Sequence, residues 1–126
     1  MSNTNDLATR SADLLRSPVS AFLWWCLPLA LGVLAQPLGL PYRATASVWT
    51  LSFAWMATGC FLNARRCHRI HCLISGPAFL AGAVGAGMLA MGAFGTNSHA
   101  LSYVISSTFA VVMASFVPEI FWRKYF

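Results

Sequence analysis

The chain has 126 residues, of which 58% are hydrophobic and only 9% charged, with eight Lys+Arg against three Asp+Glu. A soluble domain carries about a quarter charged residues, so these side chains cannot coat a globule, and the apolar content excludes a disordered chain. An integral membrane protein remains, which requires spans of about 20 apolar residues.

Four such spans follow in chain order. Residues 1–18 form a polar N-terminal segment with Asp6, Arg10, Asp13 and Arg16. Leu7, Leu14 and Leu15 give it the pattern of a short amphipathic helix on the membrane surface. Ser17-Pro18 reads as an N-cap followed by an N1 proline. The first span runs from Val19 to Leu38. Within it, Val33-Leu34-Ala35 before Gln36 resembles a signal-peptidase site, although the stretch is long for a signal peptide and holds Pro28 and Pro37. Leu40 to Ala44 connects to the second span, Thr45 to Leu62. Asn63 to Cys72 is the next connection, and the third span covers Leu73 to Phe94. Gly95 to His99 leads to the fourth, Ala100 to Trp122, and residues 123–126 form a tail. Each span must satisfy its own backbone hydrogen bonds in lipid, so helices are expected. The runs lack the alternation of a β-barrel. Short connections make neighbours antiparallel. The expected fold is all-α, an integral membrane four-helix bundle over residues 19–122.

Seven positive charges (Arg10, Arg16, Arg65, Arg66, Arg69, Arg123 and Lys124) fall on one side of four crossings, and Arg43 alone on the other. The positive-inside rule then places both termini and the 63–72 connection in the cytoplasm, at the inner membrane. The basic balance is a topology and lipid-headgroup signal rather than a nucleic-acid one. Trp24, Trp25, Trp49 and Trp122 are expected at the interfaces. Ala78, Gly82, Ala86 and Ala90 recur every four residues along a small-residue ridge. It serves intramolecular packing, a second copy of the chain, or a membrane-complex partner. Pro28, Pro37 and Pro118 are expected kinks or ends, and Gly76-Pro77 a break at the start of span three. The hydroxyls of span four are expected to bond back to its own carbonyls.

Chemistry concentrates between Cys60 and Cys72, where three of four cysteines and two of three histidines fall within 13 residues. If 67–72 is helical, Cys67, His68, His71 and Cys72 share one face at about 100° per residue. Two thiolates and two imidazoles suit zinc, and soft thiolates suit copper(I) and, by the same logic, mercury(II). The candidate metal ligands are therefore Cys60, Cys67, His68, His71 and Cys72, with Cys60 as a hand-over thiol. Nearby arginines favour thiolates. Cys26 reads as a buried thiol, His99 as an interfacial histidine, and Glu119 as a snorkelling carboxylate that pairs with Arg123 or with the arginines of the 63–72 connection. Hydrolase motifs and a haem attachment motif are absent, so no enzyme is expected.

Arg66-Cys67-His68-Arg69-Ile70-His71-Cys72, followed by Ser75-Gly76-Pro77, resembles an R-C-x-R-x-H-C-x-x-x-G-P pattern between two spans of small prokaryotic membrane proteins. In size and layout the chain is also similar to the small mercuric-ion membrane transporters. Those carry a vicinal cysteine pair in their first span, where this chain has only Cys26, so none of their functional residues carries over. The function expected from the residues is binding of a thiophilic metal ion (Hg, Cu or Zn) in transport or resistance. The alternatives are a non-catalytic accessory or scaffold subunit of a membrane complex and a membrane thiol oxidoreductase cycling Cys67 and Cys72.

Overall fold

The computed structural model describes Asp13, Leu14 and residues 16–121. Over these residues the chain is all-helical and compatible with a four-helix bundle. The helices are α1 (Pro18–Ala35), α2 (Tyr42–Cys67), α3 (Ile70–Ala90) and α4 (Ser98–Phe121). Three of them, α1, α3 and α4 (to Pro118), are long and apolar enough to cross a membrane. α2 has 26 residues, a length of about 39 Å at 1.5 Å per residue. The surface expected over the first 12 residues, the interfacial Trp122 and the Glu119–Arg123 pair lie outside the described residues.

The helix ends differ from the apolar boundaries. Pro41 caps α2, which starts at Tyr42 and runs on through Asn63, Arg65 and Arg66 to Cys67. Hydropathy ends at Leu62, but backbone hydrogen bonding does not. α2 stops at His68, whose left-handed φ of 51° forms an αL cap with its N–H on the Ala64 carbonyl at 3.0 Å. Arg69 is extended and α3 begins at Ile70. The expected ten-residue connection is therefore a two-residue turn. Pro77 is enclosed in α3 without ending it, which corrects the expected break there. α3 ends in Gly92 at a φ of 82°, and the Ala93 N–H returns to the Met88 carbonyl at 3.0 Å, the pattern of a glycine-terminated helix.

α1 contains one irregularity. A π-helical stretch covers Phe22–Cys26, and the Leu27 N–H reaches back to the Phe22 carbonyl. Pro28 follows it. A proline ring inside a helix clashes with the carbonyl four residues earlier, here Trp24, and the wider turn accommodates the ring. Ser17 takes the extended N-cap conformation ahead of Pro18, with no side-chain hydrogen bond closing the cap.

Backbone packing is closest between α2 and α3, then between α3 and α4, and then between α1 and α2. Ala46, Trp49, Phe53, Met56, Cys60 and Asn63 of α2 are all buried, as are Cys72, Ser75, Phe79, Gly82, Ala86 and Leu89 of α3. Both series alternate spacings of three and four, the seam of left-handed helix packing. Trp49 is therefore a core residue, 1% exposed, which corrects its expected place at the interface. Its ring lies 5.3 Å from Phe53 and 6.3 Å from Phe109, and Phe79 joins at 6.1 Å from Phe53. α1 and α2 exchange rings for glycines: Trp49 covers Gly32, and Trp24 covers Gly59. On the ridge of α3, Gly82 meets Thr108 of α4 and Phe53 of α2. This part of the ridge packs within the chain.

The exterior is apolar, with Val19, Phe22, Leu31, Leu51, Val84 and Met113 among its exposed side chains, as contact with a bilayer requires. Ser102, Ser107, Thr108 and Ser115 bond back to carbonyls of α4, as expected for hydroxyls in a span.

Candidate functional site

The antiparallel α2–α3 hairpin divides the Cys/His cluster. Cys67 ends α2, and its side chain lies outside the described residues. His68 is exposed in the turn, while His71 and Cys72 are buried in the first turn of α3. The single helical face imagined for 67–72 does not form, because the αL residue His68 reverses the chain direction inside it. Among the described residues no group of three or more His, Cys, Asp or Glu is arranged to hold a metal ion.

A different pair is brought together. Cys60 and Cys72 are free cysteines, 1% and 0% exposed. They stand on facing positions of the α2–α3 seam, close enough for their side chains to interact. Cys60 also contacts the Ser75 hydroxyl at 3.6 Å, and Trp25, from the π-helical stretch of α1, packs against the core cluster that contains it. Ser75 donates its own hydrogen to the His71 carbonyl at 2.6 Å. Cys72 Sγ lies 3.3 Å from His71 Nε2. The imidazole is stacked on Phe116 of α4, with centroids 4.6 Å apart and planes 19° from parallel. That stack holds the ring in place from the far helix. Cys26, expected to be buried, is exposed on α1, which corrects that reading.

Asn63 continues the buried stripe of α2 by one step beyond Cys60 and is 0% exposed. Its amide nitrogen donates to Cys72 Sγ at 3.4 Å and to Asp13 Oδ1 at 3.2 Å. Its oxygen accepts the Leu14 N–H at 2.8 Å. The other carboxylate oxygen of Asp13 pairs with Arg69 Nε at 3.1 Å, with the Asp13 side chain 6% and the Arg69 side chain 11% exposed. Asp13 and Leu14, expected on a surface helix, are thus docked against the end of the bundle. A buried ion pair holds only when its remaining valences are satisfied, and Asn63 supplies that hydrogen bond. Sequence reasoning left Asn63 in a loop. The alternating spacing from Trp49 through Phe53, Met56 and Cys60 is the signal that places it inside.

His99 lies at the other end of the bundle, exposed, with its N–H on the Asn97 side-chain oxygen at 3.0 Å, a helix-capping arrangement as its expected interfacial role allows. Comparison of the chain with protein families, with curated proteins and with solved structures finds no match.

Proposed function

We propose that this chain is a small membrane protein that binds one thiophilic metal ion between Cys60 and Cys72, in transport or resistance. The observation that carries this reading is the placement of two free, buried thiols on facing helices, one of them 3.3 Å from an imidazole nitrogen. Of the five candidate ligands, this reading uses Cys60 and Cys72. Zinc takes four ligands, and among the described residues no such group is present. Soft ions that accept two thiolates, Cu⁺ and Hg²⁺, fit a dithiol. Binding converts two thiols into two thiolates and releases two protons. His71 accepts one at Nε2, and the other leaves to water. The resulting imidazolium offsets charge on the metal–dithiolate. Asn63 donates a hydrogen bond that holds the Cys72 sulfur in place.

The test is metal analysis of the detergent-purified protein after loading with Cu⁺ or Hg²⁺. About one ion per chain is expected, lost in the Cys60→Ser/Cys72→Ser variant and kept in His68→Ala. Equal binding by wild type and the double variant ends the reading. The same placement supports a second reading as a dithiol that exchanges with a low-molecular-weight disulfide: two thiols become one Cys60–Cys72 disulfide as the external disulfide is reduced to two thiols. Formation of that bond with oxidised glutathione, in a protein that binds neither ion, would favour it.

A further inference from the structure

We propose that the segment at Asp13 and Leu14 is a latch over the thiol pair, and that Asn63 is the residue through which its position reaches Cys72. The inference rests on Cys60 and Cys72 as the working thiols, but not on which ion they take.

The argument starts with the amide of Asn63. It has one oxygen and two hydrogens to place. The oxygen takes the Leu14 N–H at 2.8 Å, and the nitrogen serves Asp13 Oδ1 at 3.2 Å and Cys72 Sγ at 3.4 Å. One planar group therefore bridges the N-terminal segment and the sulfur. Undocking of the segment removes two of these three partners from a side chain that is 0% exposed. A buried amide that loses two of its partners is costly, so it turns toward water, and Cys72 then loses its donor. The segment is held on its other side by Arg69, which belongs to the two-residue turn after the αL residue His68. Arg69 and Asn63 come from opposite sides of that turn, so they grip the same carboxylate from two directions. The grip consists of two backbone-adjacent residues at the end of the bundle, without a helix of their own. Such segments open at much lower free energy than the core. A pair of thiols that is sealed at rest needs an opening element to meet an ion or a donor protein, and this is the only element described at that end that is not itself a membrane-crossing helix or its turn.

The test uses metal-free, detergent-purified protein with Cys26→Ala and Cys67→Ala, leaving Cys60 and Cys72. N-ethylmaleimide labelling is followed by mass spectrometry. Asp13→Asn and Arg69→Gln, which each remove a charge-assisted contact, are expected to speed labelling of Cys72 about ten-fold or more. Leu14→Pro, which removes the N–H given to Asn63 without touching a charge, should act in the same direction. The exposed Arg66→Gln should label at the parent rate. The Asp13→Asn/Arg69→Gln pair should label no faster than the faster single variant, because both open the same latch. Parent-rate labelling in the Asp13 and Arg69 variants overturns the latch, and so does a multiplicative rise in the pair, which signals general loosening. Because no metal is present, the latch and the metal reading succeed or fail separately.

Discussion

His71 and His68 lie three residues apart and have opposite surroundings. His71 is stacked on Phe116 with its Nε2 beside Cys72, whereas His68 is exposed at the turn with a φ of 51°. Left-handed backbone costs an ordinary residue about 1 kcal/mol or more, and glycine adopts it freely. His68→Gly is therefore expected to keep metal binding intact and to raise stability by up to about 1 kcal/mol, less the added freedom of the unfolded chain, as read from thermal unfolding in detergent. His71→Phe preserves an aromatic stack and removes the nitrogen. It should weaken the apparent affinity for Cu⁺ by about 10- to 100-fold, measured by competition with a chromogenic chelator. If His68→Gly also weakened binding to that extent, the division of roles between the two histidines would be wrong. The sequence makes both histidines conspicuous, but nothing in their spacing says which is buried. That is decided by the reversal at His68, a backbone event between them.

At the scale of the element, the α2–α3 seam and the two ring-on-glycine contacts of α1 and α2 fix the bundle. A methyl group added at Gly32 would lie 3.0 Å from the Trp49 ring. That ring is held by Phe53 and Phe109 and has little room to move. Gly32→Ala should cost about 1–3 kcal/mol by overpacking, visible as a lower melting temperature, and a Trp49→Leu/Gly32→Ala pair should recover part of it. An unchanged melting temperature in Gly32→Ala would show that α1 can slide past Trp49. The four helices were legible from hydropathy, three of them long and apolar enough to cross a membrane, since lipid leaves helices as the option for apolar runs of this kind. The helix ends were not. Asn63, Arg65 and Arg66 end the apolar run, yet α2 continues through them to Cys67, since polar residues at a membrane edge remain good helix formers. The clustering of Cys and His was legible too. The thiol pairing was not, because Cys60 with Cys72 and Asn63 with Asp13 join separate elements, the second across 50 positions.

For the whole molecule, the start of α1, the end of α2, the start of α3 and the end of α4 share one end of the bundle, and the thiol pair lies there. The proposed orientation puts this end in the cytoplasm. A membrane-impermeant maleimide applied to intact cells should then modify Leu40→Cys or Thr96→Cys, in the turns at the opposite end, and leave His68→Cys unlabelled until the cells are opened. The reverse pattern would invert the orientation. Arg43, the single positive charge at the far end, rests its guanidinium against Gly92, which ties the start of α2 to the end of α3. The π-helical stretch of α1 has a bearing on the same end. Its ring of hydrogen bonds encloses one residue more than an α-helical turn, so it acts as a vernier within the first helix. The described residues before it, Asp13 included, are turned by about 100° relative to Pro28–Ala35. A chain shorter by one residue between Phe22 and Cys26 would still span the same thickness with the same hydropathy profile. It would point the indole of Trp25 away from Cys60 and deliver the N-terminal segment to a different side of the bundle.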